Sequence, residues 1–251
     1  CGMCIRCGQL LPDAGGALEG SSGADGGMVA MRYVHGALEL GKEYAEELRQ
    51  KDEGRVLGER RLVLVLDLDH TLLNSAKATD LSPEELERLE ATLEAQGRLP
   101  AEEQLLYRLD HMGLWTKLRP SIRTFLRRAS DLFEMYIYTM GDRMYANKMA
   151  ELLDPDGSLF HGRVISNQDS TQRHTKDLDV VLGMERIVMI MDDSRHVWPR
   201  HRRNQLVMER YHYHPASLRS FGLPGSQALL QQGRDEDAQA GPLASALGVL
   251  E

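Results

Sequence analysis

The sequence predicts an α/β protein with a Rossmann-like parallel sheet. Three short apolar runs, at 62–66, 135–138 and 187–191, are continuous rather than alternating, which is typical of strands buried on both faces. Segments between the runs have the apolar spacing of helices, as in 122–129, where positions 122, 125, 126 and 129 are apolar. Strands that alternate with helices indicate a parallel sheet with helices on its faces.

The first apolar run leads directly into a DxDxT motif. It places Asp67, Asp69 and Thr71 at alternating positions just past the carboxyl end of the strand, where ligands bind in open α/β sheets. Two carboxylates this close at the end of a buried strand are unfavourable unless a cation lies between them. A divalent metal together with a phosphate would satisfy both acids. The alternative is a strand that runs into a turn capped by Asp and Thr side chains.

Two further segments carry candidate phosphate contacts. The second strand ends on Thr139, and Asp142 then caps a predicted helix, so a hydroxyl and backbone N–H groups meet where a phosphate could bind. An ordinary strand–turn–helix junction is the alternative. Lys176 precedes a short segment with helical character, 178–182, and could meet phosphate oxygens as a point charge. A solvated surface lysine is the alternative there.

The third apolar run ends in two adjacent acids, Asp192 and Asp193. Adjacent residues of an extended chain point to opposite faces. One acid can therefore face a metal while the other orients a neighbouring group. The chain thus carries four features in order: DxDxT after the first strand, a threonine after the second, a lysine, and two acids after the third. This set resembles the four motifs of the haloacid-dehalogenase superfamily of phosphotransferases.

A narrower resemblance covers about residues 59–215. The chain is similar to the eukaryotic phosphatases that act on the C-terminal domain (CTD) of RNA polymerase II, and most of all to the plant and algal CTD-phosphatase-like proteins. The matching stretches are LVLDLDHTLLN (64–74), KLRPSIRTFL (117–126), MYIYTMGDRMYANKMAELLDPDG (135–157), LFHGRVIS (159–166) and MIMDDSRHVWP (189–199). Small CTD phosphatases usually end the last motif with Asp-Asn. The pair Asp192-Asp193 therefore points to the larger, TFIIF-interacting subgroup.

This resemblance implies a haloacid-dehalogenase-type sheet with a small helical insert after the first motif, at about 75–115. Leu81–Gln96 is the predicted helix of the insert, because Ser82 and Glu85 form a capping box and Pro83 occupies the first helical position. Leu86, Leu89 and Leu93 line one face of this helix, and we expect them to pack.

The resemblance also implies an activity, that of a Mg²⁺-dependent protein serine/threonine phosphatase acting on the polymerase CTD through an aspartyl-phosphate intermediate. Asp67 would be the nucleophile and Asp69 the general acid and base. Mg²⁺ would be held by Asp67, the main-chain carbonyl of Asp69, and Asp193. Thr139 and Lys176 would bind the phosphoryl oxygens.

Three more residues are candidate substrate contacts: Thr71, Arg143 and Asp192, of which Asp192 is also an auxiliary acid beside the metal. The expected partner is a phosphorylated CTD peptide, TFIIF is a candidate partner, and the expected location is the nucleus. Two alternatives stay open: a small-molecule phosphatase of the same superfamily, and an inactive phosphopeptide-binding scaffold.

Composition narrows the class of partner. The chain of 251 residues has a formal net charge of −8, which argues against nucleic-acid binding through a general basic surface. No apolar run approaches the roughly 20 residues that span a membrane, so we expect no membrane partner. The basic concentration is the segment 195–203, which is either a solvated loop or a docking rim for a phosphorylated peptide.

The sequence divides into three parts. Residues 1–58 form a partial N-terminal segment with a CxxC motif, a glycine-rich linker (8–30) and a helix (31–52); residues 59–220 form the catalytic domain; residues 221–251 form a tail that we expect to be disordered. Cys1, Cys4 and Cys7 could be half of a zinc site, with His35 the close fourth candidate, or an unstructured thiol cluster. A start at Cys1 rather than at a methionine suggests a fragment.

Overall fold

The computed structural model of the chain describes residues 28–31, 39–223 and 227–251. The candidate zinc ligands, the three cysteines and His35, lie outside the described residues, as does most of the predicted linker. The chain divides into two units. The first comprises Cys1–Val65, Phe133–Ile190 and Arg195–Gln205, and the second comprises Leu66–Leu132, Met191–Ser194 and Leu206–Glu251.

The described residues form ten strands and seven α-helices. In chain order the strands are β1 (Met28–Ala30), β2 (Glu39–Gly41), β3 (Leu62–Leu66), β4 (Leu73–Lys77), β5 (Leu106–Leu109), β6 (Leu114–Leu118), β7 (Phe133–Tyr138), β8 (Val164–Ile165), β9 (Val188–Asp192) and β10 (Gln205–Val207). The helices are α1 (Lys42–Gly58), α2 (Pro83–Gln96), α3 (Ile122–Leu132), α4 (Arg143–Leu153), α5 (Pro215–Ser220), α6 (Leu229–Gln232) and α7 (Pro242–Leu250).

A five-stranded sheet, of order β10-β9-β3-β7-β8, contains the three strands that the sequence predicts. Strands β7 and β8 pair in parallel, with Ile137 opposite Val164. Most residues of β3, β7 and β9 are apolar and buried, and Val65, Tyr136 and Ile190 belong to one core cluster with Trp198. Full burial explains why these runs are continuously apolar. The α/β class with a parallel sheet is confirmed.

The second unit contains a separate antiparallel sheet of order β4-β6-β5. Helix α2 confirms the predicted capping box, because Ser82 Oγ accepts the Glu85 N–H at 3.2 Å and the Glu85 carboxylate accepts the Ser82 N–H at 2.9 Å. The insert is nevertheless more than helical, since it also carries the strands of this sheet. These strands have four or five residues of mixed polarity, too few for a periodic signal. Gly113, in the left-handed conformation at φ 63°, precedes β6.

Two predictions near the chain ends differ from the structure. Helix α1 begins at Lys42 rather than at residue 31, because a hairpin of β1 and β2 precedes it. The segment 227–251, predicted to be disordered, contains α6 and α7. Leu243, Ala246 and Leu247 are buried in α7, at the spacing of one helix face. None of the helices in the described ranges combines the length and apolar character needed to cross a bilayer.

Candidate active site

The DxDxT motif forms a tight loop at the end of β3. The Asp67 N–H donates to the Met191 carbonyl at 3.0 Å, which continues the strand pairing by one residue. The chain then folds back on itself, as the N–H groups of Leu72 and Leu73 both donate to the Leu68 carbonyl. His70 adopts a left-handed backbone conformation at φ 66°, and its N–H donates to the Leu73 carbonyl at 2.7 Å. These bonds fix the backbone that carries the motif.

Thr71 connects the two acidic strand ends. Its hydroxyl donates to Asp67 Oδ2 at 3.0 Å and accepts the backbone N–H of Asp193 at 3.1 Å. Thr71 is completely buried, so both bonds are shielded from water. The hydroxyl therefore orients the Asp67 carboxylate and ties it to the end of β9. The alternative of a simple capped turn does not describe this contact, because the Thr71 side chain bonds across two strands.

Asp67, Asp192 and Asp193 form what we call the acid cluster. Each offers a carboxylate oxygen, and these oxygens lie within 4.8 Å of one another. Asp67 and Asp192 are buried, and Asp192 Oδ1 accepts the Ser194 N–H at 2.8 Å. Within the described ranges, this is the one group of three or more acidic, histidine or cysteine side chains placed to hold a metal. Asp192 and Asp193 both belong to the acid cluster. Of these two acids, only Asp193 was expected from the sequence to bind the metal.

Asp69 lies on the same loop but differs from its neighbours in exposure. It is half-buried, whereas Asp67 and Thr71 are buried. The Asp69 backbone forms an isolated bridge with Leu73, which holds the loop at its far side. A half-buried carboxylate on a fixed backbone can reach solvent, as a group that exchanges protons with water must.

Arg210 contacts the acid cluster and was not predicted from the sequence. Its Nε donates to Asp193 Oδ2 at 2.5 Å, and its guanidinium lies 4.1 Å from the centre of the Phe221 ring. Burial, followed by the charges of His70 and Arg210, lowers the pKa of the nearby His212 to about 4, so His212 is neutral at pH 7. The segment 208–214 has no regular secondary structure, and no sequence pattern marks Arg210 as a site residue.

Arg119 was also missed. It is completely buried directly after β6, and its Nη1 donates to the Thr71 carbonyl at 2.9 Å. A signal was present, because Lys117 and Arg119 alternate at the end of a strand and so share one face. Two cations on one face beside an apolar segment predict acidic partners elsewhere in the chain.

Thr139, Arg143 and Lys176 belong to the first unit. Thr139 is buried at the end of β7, and its Oγ1 accepts the Gly141 N–H at 3.0 Å. A Cβ at Gly141 would lie 2.5 Å from the Tyr145 ring, so this turn requires glycine. Asp142 caps α4 as predicted, accepting the Tyr145 N–H at 2.8 Å.

The two cationic candidates of this unit are both held in place. Lys176 is 3% exposed, and its Nζ lies 5.6 Å from the Tyr138 ring centre and 5.8 Å from that of Trp198. It is therefore not the solvated lysine of the alternative interpretation. Arg143, at the start of α4, forms an ion pair with the buried Asp169.

The basic segment 195–203 is less uniform than the sequence suggests. Arg195, Arg202 and Arg203 are exposed. His201, in contrast, is buried, with one ring nitrogen 3.0 Å from Asp177 Oδ1 and the other 3.0 Å from Glu185 Oε1. His201 is thus part of the packing next to Lys176 rather than part of an exposed rim.

The sequence matches the model of the NLI interacting factor-like phosphatase family over residues 62–221. It is 43% identical over 249 residues to the RNA polymerase II C-terminal domain phosphatase-like 4 of Arabidopsis thaliana, and 46% identical over 211 residues to its phosphatase-like 3. These alignments include 99% and 81% of this chain, but 53% and 17% of the respective relatives. The chain thus spans about half of the first relative and a smaller part of the second. A human RNA polymerase II CTD phosphatase is 27% identical over 231 residues, covering 90% of this chain and 22% of the human protein.

Solved structures of CTD phosphatases share the fold. The structure of Fcp1, an essential RNA polymerase II CTD phosphatase, matches with a TM-score of 0.60 at 21% identity, over 81% of this chain and 64% of the other. A variant of fission yeast Fcp1 bound to beryllium fluoride matches with a TM-score of 0.54 at 25% identity, over 81% and 55%. The match to the family model covers more than half of the sequence and contains every motif of the candidate site. The chain belongs to the NLI interacting factor-like phosphatase family.

Proposed function

We propose that this chain is a metal-dependent protein serine/threonine phosphatase that acts on the phosphorylated CTD of RNA polymerase II. The observation that carries the proposal is the acid cluster, in which the Thr71 hydroxyl joins the Asp67 carboxylate to the backbone of Asp193. The names of the relatives, which are CTD phosphatases, support the substrate class. We assign the activity to a catalytic domain at 59–220.

Asp67 is the nucleophile in this proposal. Its carboxylate attacks the phosphorus, the bond from phosphorus to the serine or threonine oxygen breaks, and an aspartyl-phosphate forms. The bond from Thr71 fixes the rotation of the Asp67 carboxylate and so reduces the entropy lost on reaching the reactive geometry.

Asp69 transfers the protons. It gives a proton to the departing oxygen in the first step. In the second step it takes a proton from the water that attacks the aspartyl-phosphate, the bond from phosphorus to the Asp67 oxygen breaks, and inorganic phosphate leaves. Its half-buried position on the fixed loop suits this exchange. A residue that bound the metal only through its main-chain carbonyl would not need an acidic side chain at this position.

The acid cluster fits a hard divalent cation, because it offers carboxylate oxygens within 4.8 Å of one another, and we propose Mg²⁺. Asp67, the main-chain carbonyl of Asp69, and Asp193 would hold it, with Asp192 orienting the neighbouring groups. The bound ion would offset negative charge on the phosphoryl group and on the acids. Arg210 already contacts Asp193 and would keep that carboxylate in a fixed orientation.

Thr139 and Lys176 bind the phosphoryl oxygens in this proposal, and Thr71, Arg143 and Asp192 contribute to substrate binding. The rings of Tyr138 and Trp198 hold the Lys176 ammonium in position, which favours a fixed point charge over a mobile one. The nucleus follows as the location because the polymerase acts there, and TFIIF is a candidate partner because the sequence resembles the TFIIF-interacting subgroup.

Turnover of two substrates tests the proposal. We would measure hydrolysis of p-nitrophenyl phosphate and of phosphoserine heptad-repeat peptides, with Mg²⁺ and with EDTA, for the wild-type chain and for Asp67→Asn. Metal-dependent hydrolysis of the peptide that Asp67→Asn loses supports the proposal. Hydrolysis of small phosphate esters without the peptide would favour a small-molecule phosphatase. Peptide binding without turnover would favour the phosphopeptide-binding scaffold.

A further inference from the structure

The segment that follows the family match places two acidic residues against Lys117 and Arg119, the second of which contacts the candidate catalytic loop. The match ends at residue 221, whereas Asp235 and Glu236 lie in the segment 227–251. Asp235 Oδ2 is 2.5 Å from Lys117 Nζ, and Glu236 Oε2 is 2.7 Å from Arg119 Nε. We call these two contacts the tail ion pairs.

Arg119 contacts the DxDxT loop through its backbone and its side chain. Its backbone N–H donates to the Leu72 carbonyl at 2.9 Å, and its Nη1 donates to the Thr71 carbonyl at 2.9 Å. Thr71 is the residue whose hydroxyl orients Asp67 and accepts the Asp193 N–H. Thr71 is therefore the single residue that links Arg119 to Asp67 and Asp193 of the acid cluster.

A completely buried guanidinium requires a counter-charge, since burial of an unpaired charge is highly unfavourable. Glu236 supplies it through two parallel bonds, from Nε to Oε2 at 2.7 Å and from Nη2 to Oε1 at 2.8 Å. This bidentate geometry restricts the guanidinium in both direction and rotation. The third nitrogen of the same planar guanidinium, Nη1, donates to the Thr71 carbonyl. Because Glu236 fixes the plane of the guanidinium, it also fixes the direction of this bond to Thr71.

The second ion pair reaches the same loop from another direction. Asp235 Oδ1 accepts the Tyr211 hydroxyl at 2.8 Å. The Tyr211 backbone N–H in turn donates to the His70 carbonyl at 2.8 Å. Burial and the negative charge of Asp235 raise the pKa of Tyr211, so its hydroxyl stays protonated and remains a donor. The tail acids are thus linked to two consecutive loop residues through one intervening residue each, Asp235 to His70 through Tyr211 and Glu236 to Thr71 through Arg119.

We propose that Glu236 is a positioning residue for the proposed phosphatase reaction. It acts through Arg119 on Thr71 and hence on the orientation of Asp67, and Asp235 supports it through Tyr211. The inference rests on the proposed function for its effect on turnover. Its structural part, that Glu236 limits the motion of the loop 67–73, can be measured without any turnover.

The test compares Glu236→Gln with Asp237→Asn in the full chain. Both substitutions remove one negative charge from the tail and preserve side-chain size. Asp237 is exposed and accepts the backbone N–H groups of Gln239 and Ala240 rather than facing Arg119. We expect Glu236→Gln to lower kcat for p-nitrophenyl phosphate about tenfold or more, as loss of an outer-shell partner typically does, and Asp237→Asn to leave it unchanged.

Hydrogen–deuterium exchange of residues 67–73 is the second readout, measured well below the melting temperature of each variant. Glu236→Gln should speed exchange in this loop and leave exchange in β7 unchanged, whereas Asp237→Asn should match the wild type. Glu236→Asp keeps the charge and should have intermediate turnover, and it replaces Glu236→Gln if that variant does not fold.

The inference is wrong if a folded Glu236→Gln keeps the wild-type kcat and loop exchange, or if Asp237→Asn causes the same losses. A wild-type chain without turnover would instead contradict the proposed function. Loop exchange would then decide the positioning role by itself: faster exchange in Glu236→Gln would support it, and unchanged exchange would overturn it.

Discussion

The acid cluster and the tail ion pairs are two groups of carboxylates in the second unit, and they differ in what each carboxylate faces. In the acid cluster, oxygens from three acids lie within 4.8 Å of one another, and Asp193 also pairs with the half-buried Arg210 at its edge. In the tail ion pairs, each acid lies against its own buried cation, at 2.5 Å for Lys117 and 2.7 Å for Arg119.

This difference indicates that the acid cluster serves binding or reaction, whereas the tail ion pairs serve to hold the structure. Carboxylates gathered together repel one another, and a fold that keeps them together does so where a bound cation or a reaction uses them. A carboxylate and a buried cation that pair with each other neutralise both charges, and the pair fixes the positions of the segments that carry them. The first group should therefore control turnover with little effect on stability, and the second should affect both.

The largest expected effect is the loss of turnover in Asp67→Asn, about 10⁴-fold or more, as for removal of other catalytic nucleophiles. Asparagine has the size of aspartate, and its carbonyl oxygen can still accept the Thr71 hydroxyl. The free energy of unfolding should therefore change little or rise, because one of three neighbouring negative charges is removed. Steady-state hydrolysis of p-nitrophenyl phosphate and urea unfolding measure the two quantities.

Asp69→Asn is the companion variant to Asp67→Asn. It should also abolish hydrolysis of an alkyl phosphate such as phosphoserine, because an alkoxide leaves only with a proton. An aryl phosphate has a better leaving group and should be hydrolysed with a smaller loss. Equal, near-wild-type turnover of both substrates would show that Asp69 is not the acid.

Arg119→Met should have the next largest effect, on stability. It removes the counter-charge of Glu236 and the donor to the Thr71 carbonyl, and we expect the free energy of unfolding to fall by about 3 kcal/mol. The double variant Arg119→Met/Glu236→Met removes both charges and should recover part of that loss. Urea unfolding of the two variants and the wild type provides the comparison. A double variant less stable than Arg119→Met would contradict the role of the pair.

Much of the fold was predictable from the sequence, for a physical reason. Most residues of strands β3, β7 and β9 are buried, so each strand contains a continuous apolar run that ends at polar residues. Helix α2 was predictable because its capping box is a local pattern. Strands β5 and β6 were missed because their signals are short, and helix α7 was missed because it follows a stretch rich in Gly, Gln and acidic residues.

The grouping of the candidate site was predictable only where its residues follow strands. Asp67, Thr71, Asp192 and Asp193 were found because strand ends are recognisable in a sequence. Arg210, Arg119 and Glu236 were not, because their relation to the loop depends on contacts between segments that are far apart in the chain. No local pattern encodes which acid pairs with which buried cation.

Acid pH should lower the free energy of unfolding through His214, which lies near Lys117 of the tail ion pairs. This residue is completely buried, and burial, followed by the charge of Lys117, lowers its pKa to about 3. The unfolded chain takes up the proton near pH 6.5, so the stability that neutral His214 contributes is complete above that pH and is lost as pH falls toward 3. Between pH 7 and pH 5 the loss is about 2 kcal/mol.

Urea unfolding at pH 7 and pH 5 measures this loss. His214→Phe keeps an aromatic ring of similar size without the titrating group, and it should reduce the pH-dependent change by about 2 kcal/mol relative to the wild type. His196→Gln is the matched control, because it also removes one histidine but at an exposed position. If His214→Phe retains the full pH dependence, another group is responsible for it.

The smallest expected effect is that of Ser82→Ala, and it separates stability from positioning. The substitution removes the side-chain cap of α2 and should lower the free energy of unfolding by about 1 kcal/mol. Leu89 of this helix shares a core cluster with Tyr211, so the helix supports the same unit as the tail ion pairs. None of the Ser82 side-chain contacts in the described part of the chain reaches the loop 67–73. Turnover per folded molecule should therefore stay at the wild-type value, whereas Glu236→Gln should reduce it even at comparable stability. If Ser82→Ala lowers kcat as much as Glu236→Gln, turnover follows the stability of the unit as a whole, and the tail ion pairs have no separate effect on the loop.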